Sequence, residues 1–333
     1  MSVITPVYNG ARYIRKSLKS VLNQRFDSFE IIVVDDGSVD GTADIVLEVS
    51  SENKGSNPEV RLIRQNNMGV SSARNTGIDH ASGKYIVFFD ADDQMNRDFL
   101  AKLYDCAESS EADVTVCGFD VADADGSTLK PYSALFSYLN DVVAGPEAAH
   151  LMLRGSIFVW TGSGMYRSDL LKRESLKFTD GCSYCEDHEF AVKALFCATN
   201  VSGLDESLVK YVQRNDSAHN SRSIRDLFHC LGARRRLRKF ISSAGASDEL
   251  LSILDHGLIP GAYVSVLIRL MEEGKSSREI RQLLSNTETK KVFNDMSSAP
   301  QVNRGVAFLM NNFPLLFLKL WRFRDRRSKG RYF

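Results

Sequence analysis

The stretch Tyr85-Ile86-Val87-Phe88-Phe89-Asp90-Ala91-Asp92-Asp93 constrains this chain more than any other. An apolar run of strand type ends abruptly in three acids. A run such as Ile86 to Phe89 is what the buried central strand of a parallel sheet looks like, because both of its faces are covered. Ligands of such sheets sit outside the carboxyl ends of the strands. The acids therefore stand where a ligand would be. Asp90 and Asp92 offer hard oxygen ligands to Mg2+ or Mn2+, ions that commonly bring phosphates with them. A solvated, Asp-rich turn that merely ends a strand is the competing reading.

The flanking sequence alternates strand and helix. Ser2-Val3-Ile4-Thr5, Phe29 to Val34, Val60 to Ile63, Tyr85 to Phe89 and Val114 to Val121 read as strands. Helical patterns separate them. Ile14, Leu18, Val21 and Leu22 share one face, and Ile45, Val46 and Val49 share another. Gly69 to Ala81 turns Val70, Ala73, Gly77 and Ile78 inward, and Arg97 to Ser109 forms a further helix. This repetition predicts an α/β fold with a mostly parallel central sheet and helices on both faces. The loops Pro6-Val7-Tyr8-Asn9, Asp35-Asp36-Gly37-Ser38 and Asp90-Ala91-Asp92-Asp93 then share one rim. Their convergence marks a ligand site. No G-x-G-x-x-G follows the first strand and no G-x-x-x-x-G-K-[ST] occurs, which excludes a dinucleotide Rossmann site and a P-loop.

Each rim residue has a functional and a structural reading. Tyr8 offers an aromatic face on which a nucleobase could stack, worth about 1–3 kcal/mol; it could equally pack over the sheet edge. Asp36 could accept from a base N–H or a ribose hydroxyl, or cap a turn. Arg74 can pair with a base carbonyl, a phosphate or the strand-end acids. Glu186 and Asp187 in Tyr184-Cys185-Glu186-Asp187-His188-Glu189-Phe190 fall in the first turn of a helix. There they stabilise the helix dipole, or one of them serves as a general base. His188 reads as a neighbour of that base.

Together these residues resemble a known family: family 2 glycosyltransferases with the GT-A fold, of the bacterial polysaccharide-synthesis type. The matching motifs are Val3-Ile4-Thr5-Pro6-Val7-Tyr8-Asn9, Glu30 to Ser38 with Asp40-Gly41-Thr42, Asn67 to Gly77, Gly83 to Asp93, and Glu186 to Phe190. They cover about residues 2 to 220 in order. The resemblance implies a Rossmann-like GT-A domain over 1–220 and a helical C-terminal extension over 221–333. It implies that Pro6, Tyr8 and Asp36 hold the base of a nucleotide-sugar, usually a UDP-sugar, and that Arg74 contacts base or diphosphate. Asp90 would face the ribose, Asp92 would bind Mn2+ or Mg2+, and Asp187 would be the catalytic base of an inverting single displacement. Arg214 and His219, in Tyr211 to His219, are expected at the diphosphate and the metal. Glu186 is expected at the acceptor, a glycan or lipid-linked saccharide, and Trp160 either lines that pocket or belongs to the core. A sugar nucleotidyltransferase and a non-catalytic glycan- or protein-binding relative are the rival readings. The first lacks its Gly-rich basic loop here, and the second would be expected to lose Asp92 or Asp187.

Beyond about Ser221 the resemblance weakens and helical periodicity takes over, as in Leu227, Leu231, Leu237 and Phe240. This extension is expected to shape the acceptor site or to form a homodimer. Phe313 to Arg324 mixes aromatics with bases and contains no acid; Asp325 is the only acid before the C-terminus. That composition suits an anionic membrane surface, which predicts a peripheral protein at the cytosolic face. A helix packed on the domain is the alternative. Lys+Arg and Asp+Glu both number 42, so net charge gives no reason to expect a nucleic acid partner. The N-terminus shows no signal-peptide pattern, and no segment is expected to span a membrane. The six cysteines are scattered in a chain too long to need disulfide staples, which predicts reduced thiols. Cys182-x-x-Cys185 lacks a second pair at metal-site spacing and reads as structural.

Overall fold

The computed structural model describes residues 1–55, 57–213, 223–298, 309 and 312–320. The chain forms two compact units, Met1–Asn220 and Ser221–Phe333. In the first, strands β1 (Ser2–Val7), β2 (Glu30–Asp35), β3 (Glu59–Arg64) and β4 (Tyr85–Phe88) are separated by helices α1 (Ile14–Leu22), α2 (Thr42–Glu52) and α3 (Val70–His80). There follow β5 (Gln94–Met95), α4 (Phe99–Ser110), β6 (Val114–Ala122), β7 (Thr128–Lys130), β8 (Val143–Ala144), α5 (Gly145–Leu153), β9 (Gly164–Arg167), α6 (Ser168–Arg173), α7 (Glu186–Cys197) and β10 (Asn200–Val212).

These strands form one sheet in the order β3-β2-β1-β4-β9-β6-β10-β5, with β7 on β6 and β8 on β10. The first four run parallel. Strand β9 is antiparallel to both β4 and β6, and β10 returns parallel to β6. The sheet is mostly parallel, as expected, with one reversed strand in its middle. Periodicity does not reveal β9, which has only four residues. Nor does it reveal β10, whose apolar ends are interrupted by exposed Asp205 and Glu206 and by register shifts around Ser207.

The order fixes where a ligand can sit. From β1 the chain steps outward to β2 and β3, then returns to place β4 on the other side of β1. A crevice opens where the direction reverses, outside the carboxyl ends of β1 and β4. Helix α3 lies against β1 and β2, where Ala73 packs with Ile32 and Val34. A methyl group added to Gly77 would sit 2.2 Å from Ile4 Cγ2, so only glycine permits this approach. On its other side α3 is polar yet buried: Ser71, Ser72, Arg74 and Asn75 are at most 9% exposed.

The second unit holds α8 (Ile224–Ser243), α9 (Asp248–Ile253), a π-helical turn at Leu254–Leu258, α10 (Ile259–Glu272), α11 (Ser277–Ser285) and α12 (Thr287–Ser298). The helical run Asp248–Glu272 is long and apolar enough, by length and composition alone, to cross a membrane. This corrects the expectation that no segment reaches that length; His256, Gly257 and Pro260 interrupt the apolar pattern without ending the helix. Within the unit the run is a core element, since its Val264 and Leu267 are buried with Ile280, Leu284, Phe317 and Leu318. The tail reading therefore divides. Phe317 and Leu318 pack inward, while Phe313, Leu316 and Leu320 remain about half exposed. The bases beyond residue 320 lie outside the described residues.

Gly77→Ala is expected to destabilise the protein by about 1–3 kcal/mol, as overpacking of a filled site does, seen as a lower midpoint in denaturant or thermal unfolding. An unchanged midpoint would mean that α3 and β1 are not in close contact.

Candidate active site

The crevice has a volume of about 180 Å3. Its walls come from the end of β1 (Pro6, Val7, Tyr8), from Tyr13 and Asp36, from α3 (Val70, Ala73) and from the end of β4 (Asp90, Ala91, Asp92). Side-chain hydrogen bonds stitch these loops together. Asn9 N donates to Ser38 Oγ at 2.9 Å, Val39 N to Asn9 Oδ1 at 3.0 Å, and Gly10 N to Thr42 Oγ1 at 2.8 Å. The rim is thus preorganised rather than slack. Tyr8 stands at the mouth with 49% of its surface exposed, free of the sheet edge and available for stacking.

Asp36 is more heavily committed than its position in the motif suggests. Its Oδ1 accepts from Gln65 Nε2 (2.7 Å) and Met68 N (2.9 Å), and its Oδ2 from Gly69 N (2.7 Å). A carboxylate has about four acceptor sites, so one remains for a ligand. The main work of Asp36 is to hold the loop that enters α3.

Arg74 is the centre of the site. Buried to 3% exposure, it donates from Nη2 to Asp90 Oδ1 at 2.9 Å and from Nη1 to Glu186 Oε1 at 3.1 Å. Its guanidinium lies 5.1 Å from the centre of the Phe178 ring. It therefore joins the acid end of β4 to the start of α7. Other groups on α3 fasten the same approach. Ser71 Oγ donates to Cys182 O (2.7 Å), and Asn75 exchanges hydrogen bonds with the Phe178 backbone (2.9 Å each way).

Helix α7 begins at Cys185, in a left-handed conformation (φ 61°), and carries Glu186, Asp187 and Glu189 in its first turn. Asp187 is half-buried, and its Oδ1 accepts from His188 N at 2.7 Å. The Glu186 carboxyl is pushed up to about 7, first by burial and then by the charge of Asp187, against the pull of Arg74. The ion pair pulls in two senses, since the same contacts hold Arg74 strongly cationic despite its burial. A guanidinium keeps its proton, so Glu186 is the member that titrates.

Several expectations change here. Glu186 is not an acceptor-facing group: it is buried and ion-paired to Arg74. Trp160 is also buried, with its indole edge-on to Phe119 (5.8 Å) and Tyr211 (5.5 Å); it packs in an aromatic cluster instead of lining an acceptor surface. Arg214 and His219 lie outside the described residues. The chain that leads to them leaves beside the acid loop, where Val212 N donates to Asp93 Oδ1 at 2.8 Å. Cys106, Cys117 and Cys197 are free thiols, whereas Cys185 is disulfide-bonded. Chain length removes the need for disulfides but does not forbid one, so the expectation of reduced thiols fails at Cys185. Sequence reading overlooked Tyr13, which faces the crevice from just ahead of α1, because it lies off the apolar face of that helix.

A mostly parallel sheet with an acid-bearing crevice at its switch point is the arrangement of the GT-A fold. The chain belongs to glycosyl transferase family 2, whose model matches residues 2–174. It is 33% identical over 220 residues to the uncharacterized glycosyltransferase EpsJ of Bacillus subtilis, covering 65% of this chain and 62% of that protein. It is 28% identical over 222 residues to the poly(ribitol-phosphate) beta-N-acetylglucosaminyltransferase TarS of Staphylococcus aureus, covering 66% of this chain and 36% of TarS. The match thus spans less than two thirds of these relatives. The structure of S. aureus TarS 1-349 in complex with UDP-GlcNAc aligns with a TM-score of 0.64 at 21% identity, over 100% of this chain and 92% of that one. A mannosyltransferase from Pyrobaculum calidifontis in complex with GDP-Man and Mn2+ aligns at 0.57 with 19% identity, over 94% of this chain and 87% of that one. Both confirm the GT-A fold.

Two outcomes follow from the Arg74 pair. Arg74→Met leaves two carboxylates without their cation and is expected to cost about 3–5 kcal/mol; adding Glu186→Gln should restore part of the loss in a double-mutant cycle of unfolding free energies. Additive effects would show that the pair is not coupled. The second outcome concerns pH. The Glu186 value is raised on folding, so its stabilising contribution is complete below the ordinary value of 4.5 and is lost as pH rises through about 7. Glu186→Gln should flatten the decline in stability between pH 5 and 8, measured by thermal melting. An equally steep decline in the variant would refute the assignment.

Proposed function

We propose that this glycosyltransferase moves a sugar from a UDP-sugar to a hydroxyl of a glycan or lipid-linked acceptor, with inversion at the anomeric carbon, in bacterial cell-surface polysaccharide synthesis. The observation that carries this reading is the Arg74 bridge, because it ties the acid end of β4 to the helix turn that holds Asp187. A phosphate-side acid and a candidate base are thereby held in one place. Tyr8 stacks the base at the mouth of the crevice. The acceptor site left on Asp36 takes a base N–H.

In the reaction, Asp187 takes the proton of the acceptor hydroxyl as its oxygen attacks the anomeric carbon. The bond from that carbon to the diphosphate oxygen breaks on the opposite face, and UDP leaves. A single displacement requires no enzyme nucleophile. Asp187 suits the task because it is half-buried at a helix start, reachable by an acceptor yet partly withdrawn from water. Asp92 lines the crevice, and among the described residues no three His, Cys, Asp or Glu side chains form a ready-made metal cage. One or two carboxylates plus substrate phosphates is the donor set that Mg2+ or Mn2+ accepts, so Asp92 fits as its protein ligand. Such an ion would neutralise charge on the departing diphosphate. TarS, whose name and structure place GlcNAc and UDP with it, favours UDP-GlcNAc as the first donor to test. The half-exposed Phe313, Leu316 and Leu320, followed in sequence by bases, support peripheral contact with the anionic cytosolic leaflet.

The test is release of UDP from UDP-GlcNAc, UDP-Glc and UDP-Gal in Mn2+, with and without chelator. Asp187→Asn is expected to lower kcat by about 10²–10⁴-fold with an unchanged melting temperature, and Asp92→Asn to weaken the response to Mn2+. Full activity in Asp187→Asn removes the base assignment, and activity indifferent to chelator removes the metal.

A further inference from the structure

Tyr166 is the fully buried side chain that the reading above leaves without a task. It sits on β9, the reversed strand next to β4, and has no exposed surface. Its ring packs 5.8 Å from Phe88 and, edge-on, 5.4 Å from Phe190. Phe88 lies two residues before Asp90 on the acid-bearing strand, and Phe190 lies one helical turn after Asp187. The ring is thus wedged between the two elements that carry the chemistry. Its hydroxyl oxygen is buried and has no hydrogen-bond partner among the described residues. A buried hydroxyl left unpaired costs about 1–3 kcal/mol, and phenylalanine would fill this place without that cost. The hydroxyl also crowds Gly164, where an added methyl group would lie 2.9 Å from it.

The charged groups near this hydroxyl are Asp187 and Arg74: burial and the Asp187 charge oppose ionisation of the phenol, and Arg74 favours it. Behind Arg74 stand its partners Asp90 and Glu186. The Oδ1 of Asp187 accepts from His188 N, and its second oxygen retains acceptor capacity.

We propose that Tyr166 is the positioning residue of the base: its hydroxyl donates to the free carboxylate oxygen of Asp187 when donor and acceptor are in place, and so aims the other oxygen at the acceptor hydroxyl. The inference rests on Asp187 being the base. No bond is made or broken by Tyr166. It holds the carboxylate in one rotamer.

Tyr166→Phe removes one oxygen and keeps both ring contacts. Its expected signature has two parts, measured on the full chain with the most active UDP-sugar of the panel and Mn2+. The value of kcat falls about tenfold while the affinity for UDP, by calorimetry, is unchanged. The melting temperature stays level or rises, because an unpaired buried hydroxyl is gone. Gly164→Ala, which keeps the hydroxyl but displaces it, should lower kcat in the same direction. If Tyr166→Phe has wild-type kcat while Asp187→Asn is inactive, the positioning role is wrong and the base stands. If Tyr166→Phe loses melting temperature or UDP affinity, the hydroxyl is structural and the proposal also fails. If Asp187→Asn is active, the fault lies with the base assignment itself.

Discussion

The contact on which this site depends is the buried guanidinium of Arg74 between Asp90 and Glu186. Taking an arginine and two carboxylates out of water is expensive, and the pairing returns that cost only when the geometry is good. Here several local features supply the geometry. Gly77 and Ala73 let α3 approach the sheet. Phe178 lies against the guanidinium and stacks on Phe190 at 4.1 Å, nearly parallel. Ser71 and Asn75 fix the backbone at Cys182 and Phe178. The polar side of α3 is therefore best understood as a joint between the strand that ends in acids and the helix that begins with them.

That joint makes the two halves of the site electrostatically interdependent. Asp90 and Glu186 share one cation, and Glu186 adjoins Asp187 in the chain. A charge that settles near Asp90, such as a diphosphate with its counter-ion, alters the field at Arg74. Glu186 and Asp187 then experience a different balance of burial and charge. In the proposed reaction, donor-side and acceptor-side chemistry are coupled in this way through a single side chain.

Much of this was legible in the residues. Alternating strand and helix patterns, with loops carrying Tyr8, Asp36 and Asp92 at strand ends, are enough to place the crevice, because parallel connectivity forces those ends onto one rim. The acid cluster at Glu186 and Asp187 was legible as a helix start. What remained hidden has a physical reason in each case. The short reversed strand β9 has no period to detect, so its contribution, Tyr166, went unseen. The structural load on Asp36 went unseen because its backbone donors, Met68 N and Gly69 N, carry no side-chain signature. For Trp160 the residues did not decide between acceptor pocket and core, for want of any sign that Phe119 and Tyr211 would enclose it. Long-range enclosure is a property of the folded chain, and composition does not encode it locally.

The family match ends at residue 174, before α7 begins. The matched segment supplies the crevice, the acids at the end of β4 and Arg74. Asp187, the rest of α7 and β10 come from the chain beyond it. Strand β10 nonetheless inserts between β6 and β5 and pins its end to Asp93, so the later segment is woven into the earlier one.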